Sequence, residues 1–346
     1  MVNRRRFFGL AASAASARSA LAAASEPIGI GFLGASYSHF KGKFDVIRES
    51  ADWRLIGVAE NDPKIGSGLE RAGVQLLSRE ELLSHPQIRV IAVESDVSGR
   101  AADAKAVLQA GKDLHVEKAP AFRYSDFEEI VRMARTGKRL LQVGYMWRYH
   151  PGIDKALEAA RNGWLGSVYL VRGSISNQLE PARRPEWGRF EGGPMFELGG
   201  HVIDPMVRLM GQSQRVRSIL QKATPLDDSL HDNTLTTIEW DHAIGIVHSS
   251  DVQPDSNRYR AFEIFGTNGC AIVNPIEPPA LMIDLAEAAG PYGKGIQTLP
   301  MPSYRRFVDD FADLAAAVRG ERPLKTTPDQ DLLVEQMLLR CSGMYG

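Results

Sequence analysis

The chain has 346 residues, which is enough for two domains with ordinary cores. Hydrophobic residues at 44% and charged residues at 24% are values typical of globular proteins, so the composition excludes large-scale disorder. The formal net charge is -1, and no basic run outside the N-terminus suggests a nucleic-acid partner.

The first residues have the pattern of an export signal. Three arginines at residues 4–6 precede Phe7 and Phe8, and a weakly apolar run rich in alanine and serine follows to Ala24. Paired arginines before two phenylalanines resemble a twin-arginine signal. The run is too short and too poor in large side chains to span a bilayer. We therefore expect residues 1–24 to be removed and the mature protein to be periplasmic.

An apolar run at residues 28–33 predicts a buried first strand. Gly29, Gly31 and Gly34 match the pattern GxGxxG, but that register requires a strand further upstream, where the sequence offers none. The turn that would hold a dinucleotide phosphate is therefore residues 34–39, just before a predicted helix. The candidate nucleotide ligands in this turn are Gly34, Ser36, Tyr37 and Ser38.

The second predicted strand, residues 53–59, ends at Glu60. An acidic side chain at this position accepts hydrogen bonds from both ribose hydroxyls and repels a 2′-phosphate, which favours NAD over NADP. The alternative is a solvated loop residue before Asp62 and Pro63. The sequence thus predicts NAD as the cofactor, and NADP stays open.

Strands and helices alternate through residues 26–145. Further apolar runs at residues 89–93, 114–116 and 140–144 are separated by segments of helical composition. Such alternation is typical of a parallel sheet with helices on both faces. The first domain is therefore predicted to be α/β.

The pattern changes in residues 146–346, the predicted second domain. After a strand at residues 168–176, three more strands between residues 234 and 265 follow one another without helices. This arrangement predicts an α+β domain with a mostly antiparallel, open sheet, whose free surface could pair with a second copy of the chain. We expect the last helices, beyond residue 304, to pack back on the first domain.

The stretch from Gly192 to Asp204 carries the densest set of chemical groups. Pro194 predicts a helix start, because the first helical position tolerates proline. Glu197, His201 and Asp204 then fall at positions i, i+4 and i+7 and share one helix face. Histidine is the usual proton acceptor in alcohol oxidation, and a neighbouring carboxylate can orient it. The alternative is a glutamate favoured by the helix dipole and a turn starting at Asp204.

Several short motifs occur in a specific order along the chain. Together they resemble the glucose-fructose oxidoreductase, inositol dehydrogenase and rhizopine-catabolism family (Gfo/Idh/MocA), whose fold is a Rossmann-type domain followed by an α+β domain. The motifs are Ala110-Gly111-Lys112 with Glu117-Lys118, Gln142-Val143-Gly144-Tyr145 with Arg148 and Pro151, the stretch at residues 192–204, and Asp232-Asn233.

The resemblance implies roles for individual residues. Lys118 would contact the substrate hydroxyl and the nicotinamide ribose, beside Glu117 as a further cofactor contact. His201 would be the general base, and Glu197, which replaces the family's aspartate, would position it. The residues expected to bind the substrate are Tyr145, Arg148, Trp187 and Asp204. Cys270 and Cys341 fit no metal spacing, so no metal site is predicted.

The implied function is hydride transfer from a secondary hydroxyl of a sugar, cyclitol or glycoside to a retained NAD. One alternative is an NAD-dependent enzyme that cleaves glycosides by transient oxidation and elimination. Another is a non-catalytic sugar-binding or scaffold protein. The family's Thr-Pro-Asn is replaced here by Ser95-Asp96-Val97, and the phosphate-binding turn at residues 34–39 keeps only the first glycine. These two departures motivate the last alternative.

Overall fold

The computed structural model describes residues 26–345, and the predicted export signal at residues 1–24 lies outside them. The first domain is built on a five-stranded parallel sheet with the order β2-β1-β3-β4-β5. Its strands are β1 (Ile28–Leu33), β2 (Trp53–Ala59), β3 (Val90–Val93), β4 (Asp113–Val116) and β5 (Leu141–Val143). The strands other than the edge strand β2 are almost entirely buried, as expected where helices cover both faces. The predicted parallel α/β sheet is confirmed.

Helices connect these strands. They are α1 (Phe40–Glu49), α2 (Pro63–Arg71), α3 (Arg79–Ser84), α4 (Val97–Gln109) and α5 (Tyr124–Gly137). The start of α2 shows how the sequence defines a boundary, because Asp62 caps the backbone N–H groups of Lys64 and Ile65 next to Pro63. The strand order reverses at β1, so a crevice forms beyond the carboxyl ends of β1 and β3.

The second domain contains an eight-stranded sheet with the order β13-β12-β11-β10-β6-β9-β8-β7. Its strands are β6 (Val168–Ser174), β7 (Arg215–Gln221), β8 (Asn233–Glu239), β9 (Ile244–Ser250), β10 (Ala261–Gly266), β11 (Gly269–Val273), β12 (Leu281–Leu285) and β13 (Gly295–Leu299). β6 and β9 pair in parallel, and the other neighbours pair antiparallel. The mostly antiparallel sheet is confirmed, although β7, β11, β12 and β13 extend it beyond the predicted strands.

The remaining helices lie between the two sheets or return to the first domain. They are α6 (Pro151–Arg161), α7 (Arg184–Trp187), α8 (Gly193–Leu198), α9 (Gly200–Met210), α10 (Val308–Val318) and α11 (Pro328–Cys341). Phe311 of α10 packs against Trp53 and His115 of the first sheet, with ring centroids 6.0 and 4.9 Å away. α11 packs on α5, α8 and α9. This packing holds α8 and α9 against the first domain.

In the part of the chain that the structure covers, none of the helices combines the length and apolar character needed to cross a membrane.

Candidate active site

The turn after β1 retains one glycine for a steric reason. Gly34 has φ +84°, and a Cβ on it would lie 2.6 Å from the backbone of Ser95. The Glu60 carboxylate accepts hydrogen bonds from the backbone N–H of Ala35 at 2.6 Å and of Asp62 at 2.8 Å. Glu60 therefore shapes the turn in addition to facing the crevice.

This turn borders a cavity of about 210 Å³ at the carboxyl ends of β1, β2 and β3. Gly34, Ser36, Glu60, Asn61 and Ser95 are among its lining residues. The backbone can approach a ligand closely at Gly34, and a carboxylate stands where a ribose diol would be recognised. The residues present therefore fit the adenosine half of a dinucleotide.

Tyr37 and Ser38, the other two predicted turn ligands, point elsewhere. The Tyr37 hydroxyl donates to Glu197 Oε2 at 2.9 Å, and its ring lies 4.7 Å from the Arg100 guanidinium. Burial, reinforced by the Glu197 carboxylate, raises the pKa of Tyr37 well above its usual value, so the hydroxyl keeps its proton. Ser38 lines a separate cleft of about 650 Å³ with His39. Tyr37 therefore belongs to the chemical cluster described next.

Lys118 lies at the centre of that cluster, two residues after β4. Its side chain is 1% exposed, and its Nζ donates to the Tyr37 hydroxyl, to the Glu197 carbonyl and, at 3.2 Å, to Glu197 Oε2. The buried guanidinium of Arg100 donates to the carbonyls of Lys118 and Ala119, both at 2.8 Å. Arg100, which the sequence analysis did not single out, thus fixes the backbone that carries Lys118.

Glu117 faces a different set of partners from those predicted. Its carboxylate accepts from Lys43 Nζ, which also donates to Glu94 at 2.6 Å, and it contacts His39 Nδ1 at 3.0 Å. Burial alone would raise the pKa of Glu117, but Lys43 and His39 outweigh it and hold the pKa well below its usual value. The structure places Glu117 inside this ion cluster, where Lys43 and His39 occupy its oxygens.

His201 lies in α9, which is separated from α8 at Gly199. The ring is 1% exposed, and its Nδ1 has no hydrogen-bond partner among residues 26–345. The rings of His39 and Trp147 lie 5.8 and 6.3 Å away. Burial first, and then the positive charge of Lys118, lower the pKa of His201 well below its usual value. The ring is therefore neutral at neutral pH and able to accept a proton.

Glu197 has no hydrogen bond to His201, the residue that it is predicted to position. Its hydrogen bonds go to Tyr37 and Lys118, although it stands four residues before His201. The physical reason is that an ammonium group attracts a carboxylate more strongly than a neutral imidazole does. Glu197 acts on Lys118 instead.

Arg148 and Asp204, two of the predicted substrate ligands, form an ion pair with each other. Arg148 Nη2 donates to Asp204 Oδ1 and to Asp331 Oδ1, both at 2.6 Å, and Nη1 donates to Thr326. Both side chains of the pair are fully buried. The arrangement joins α9 to α11, so geometry favours a structural role for both residues over the predicted one.

Tyr145 and Trp187, the other predicted substrate ligands, are both buried. The Tyr145 ring lies 6.4 Å from His201, and neither its hydroxyl nor the Trp187 indole N–H has a partner within residues 26–345. Their substrate role stays a prediction. In the same part of the chain, the structure shows no group of three or more histidine, cysteine or acidic residues that could hold a metal ion.

Two parts of the chain match known families. Residues 28–145 match the oxidoreductase family with an NAD-binding Rossmann fold, and residues 153–272 match the GFO/IDH/MocA C-terminal domain. The two matches together cover more than half of the chain.

Individual relatives share only low sequence identity with the chain. The chain is 27% identical over 243 residues to D-xylose dehydrogenase from Paenarthrobacter nicotinovorans, covering 62% of each chain. It is 23% identical over 291 residues to levoglucosan dehydrogenase from Pseudarthrobacter phenanthrenivorans, covering 70% of this chain and 74% of the relative. The chain thus spans less than two thirds of the first relative and about three quarters of the second.

A solved structure shares the fold over nearly the whole length. GenD2 from gentamicin A biosynthesis, crystallised in complex with NAD, superposes with a TM-score of 0.77 at 20% identity and covers 96% of both chains.

Proposed function

Because the chain belongs to the GFO/IDH/MocA oxidoreductase family and has its NAD-binding domain, we propose that it oxidises a secondary hydroxyl of a sugar, cyclitol or glycoside. The observation that carries the proposal is the buried cluster in which Lys118 contacts Tyr37 and Glu197 next to the neutral ring of His201. The cluster adjoins the crevice that fits a dinucleotide. An acid, a base and a cofactor site therefore meet at one place.

A nicotinamide cofactor held in the crevice would supply the hydride acceptor for a C–H bond of the substrate. The neutral ring of His201 accepts the hydroxyl proton. The Lys118 ammonium stabilises the negative charge that develops on the substrate oxygen. Glu197 orients Lys118 through its carboxylate and its carbonyl.

NAD is the proposed physiological cofactor. The support is Glu60, whose carboxylate lines the adenosine cavity and disfavours a 2′-phosphate there. The cavity beside Gly34 and Glu60, whose lining fits the adenosine half of a dinucleotide, supports an oxidoreductase over a sugar-binding scaffold.

The proposed location is the periplasm, supported by the arginine pattern at residues 4–6. Free nicotinamide cofactor is not expected outside the cytoplasm, so we propose a cofactor that stays bound and is regenerated in place. A redox-neutral cycle satisfies this condition, either by coupling two sugars or by oxidising a glycoside transiently so that it eliminates its aglycone.

The decisive experiment identifies the nucleotide that co-purifies with the protein. We expect denatured protein to release NAD in near-stoichiometric amount, measured by absorbance and mass. The protein is then screened with D-xylose, levoglucosan, myo-inositol and aryl glycosides for NADH formation and for sugar release without net NADH. Protein that releases no nucleotide and takes up neither NAD nor NADP would contradict the proposal.

A further inference from the structure

Asp251 is a buried carboxyl group that the mechanism above does not use. It directly follows β9 and is 2% exposed, yet neither side-chain oxygen has a hydrogen-bond partner anywhere in residues 26–345. Burying a carboxyl group without partners costs several kcal/mol when it is ionised. Such a group needs either a functional reason or a ligand.

The contrast with Asp232 shows that burial alone does not explain this. Asp232 is 0% exposed and accepts the backbone N–H of Asp251 through its own carbonyl at 2.9 Å. Its carboxylate accepts hydrogen bonds from Ala223 N at 2.6 Å, Thr224 Oγ1 at 2.5 Å and Arg184 Nη2 at 2.9 Å. The two buried aspartates therefore differ: the carboxylate of Asp232 accepts three hydrogen bonds from the protein, whereas the carboxyl group of Asp251 has no hydrogen-bond partner within residues 26–345.

Asp251 lies on the side of the second domain that meets the catalytic cluster. Ser249 of β9 donates to the carbonyl of Pro194 at 3.1 Å, which joins this strand to α8, the helix that carries Glu197. Asn177, which pairs with the residue before Asp251, also has a side-chain atom without a hydrogen-bond partner within residues 26–345. Asn177 donates its N–H to Ser250 at 2.8 Å, but its side-chain oxygen is unpartnered within the described chain.

The charges around Asp251 keep it protonated. Burial and then the Glu197 carboxylate raise the pKa of Asp251 to about 8, and Asp232 acts in the same direction. Arg184 and Arg183 act in the opposite direction but do not prevail. At neutral pH Asp251 therefore holds a proton that it can donate.

We propose that Asp251 is a substrate-binding residue, which donates a hydrogen bond from its neutral carboxyl group to a second hydroxyl of the polyol. Glu197 accepts from a neighbouring hydroxyl through Oε1, because its contacts with Tyr37 and Lys118 both fall on Oε2. The substrate class is thus narrowed to compounds with a hydroxyl group beside the one that is oxidised. The inference rests on the proposed function.

The test uses the nucleotide-loaded enzyme, with D-xylose, levoglucosan and myo-inositol as probes. Asp251→Leu removes the donor and should raise KM about tenfold or more, with kcat and bound nucleotide unchanged. Because the unpartnered carboxyl is costly, the same variant should unfold at a higher temperature than the wild type. Asp255→Asn, an exposed aspartate in the following loop, is the matched control and should change neither quantity.

A pH profile separates binding from structure. Asp251→Asn keeps a neutral donor of the same size, so its KM should stay near the wild-type value at pH 7. Above pH 8 the wild type loses its donated proton and its KM should rise, whereas the Asp251→Asn profile should stay flat. Identical profiles, or an Asp251→Leu variant with unchanged KM, would overturn the inference while leaving the proposed function intact. A wild type that neither oxidises nor binds any of the three polyols would overturn both.

Discussion

Glu197 in α8 and Asp204 in α9 each form an ion pair, and the two pairs have different roles. Each is a buried acid whose partner is a base from the loop after a strand of the first sheet, Lys118 in one case and Arg148 in the other. Arg148 also contacts Asp331, so its charge is shared between two carboxylates. Lys118 contacts Glu197 together with a phenol and a carbonyl.

The two clusters differ in which of their hydrogen bonds a ligand could replace. The Arg148 cluster is fully buried, and its guanidinium pairs with two carboxylates from separate segments, although the second oxygen of each carboxylate has no hydrogen-bond partner within residues 26–345. In the Lys118 cluster, two of the three acceptors are neutral oxygens, which a substrate hydroxyl can substitute at little cost. Glu197 is also slightly exposed, at 7% of its side chain, whereas Asp204 is at 0%. The first cluster holds the helix and the second is suited to chemistry.

The largest expected effect is on folding. Arg148→Met leaves Asp331 without its cation and Asp204 with only Arg208, whose Nη1 lies 3.7 Å from Oδ2, so the free energy of unfolding should fall by ~3–5 kcal/mol. Denaturant unfolding measures this loss. The control is Arg172→Met, which removes an arginine that is 45% exposed and paired with Glu263, and should cost less than about 1 kcal/mol. A stable Arg148→Met protein with a raised KM would instead make Arg148 a substrate ligand.

The next effect is on catalysis. Lys118→Met removes the ammonium group that stabilises the developing alkoxide, so kcat should fall by about 10²–10³-fold while bound nucleotide is retained. Steady-state rates on a polyol identified in the screen measure the change. Lys105→Met, a lysine of α4 paired with Asp126, is the control and should leave kcat unchanged. Turnover of Lys118→Met at the normal rate would refute its assigned role.

A smaller effect is expected at Glu197. Glu197→Gln keeps the size of the side chain and an oxygen for the Tyr37 hydroxyl, but it removes the charge that orients Lys118. A charge-assisted hydrogen bond is about twice as strong as a neutral one, so kcat should fall roughly tenfold. Glu197→Asp retains the charge, so its kcat should lie between those of the wild type and Glu197→Gln. If Gln is better tolerated than Asp, the geometry of the side chain matters more than its charge.

The smallest effect is a shift in pH dependence. The pKa of His201 is lowered by burial, then by Lys118 and His39, so kcat/KM should stay level as the pH falls through 6.5 and decline only below it. His39→Gln removes one lowering charge and should move this acid limb upward by less than about one pH unit. The exposed His242→Gln is the control. If the acid limb lies at the same pH in His39→Gln and in the wild type, His39 does not influence the pKa of His201.

Much of the fold was predictable because it follows from local patterns. Buried strands such as Ile28–Leu33 and Trp53–Ala59 are short apolar runs bounded by glycine, proline or acidic residues. The edge strand Arg215–Gln221 was not predicted, because its residues alternate between exposed and half-buried and form no continuous apolar run. The start of the site helix followed from Pro194, but the interruption at Gly199 depends on packing and was not foreseen.

The candidate site was predictable only in part. Lys118 and Glu197 were identified by resemblance, and the structure brings them together across 79 positions of sequence. The partnership of Arg148 with Asp331 was not foreseen, because spacing along one helix says nothing about a carboxylate 183 residues away. Asp251 and Asp232 are both single acids next to a strand. Only the surrounding atoms show that the carboxylate of Asp232 is hydrogen-bonded and that the carboxyl group of Asp251 has no partner within residues 26–345.

The link between Arg148 and Asp331 also has a consequence for biosynthesis. Domains generally fold as units from the N-terminus while the chain is being made. The first sheet and α9 emerge from the ribosome well before α11, so Asp204 and Arg148 lack Asp331 until nearly the whole polypeptide has been translated. The helix that carries His201 therefore reaches its final setting only at the end of synthesis, and incomplete chains would be inactive.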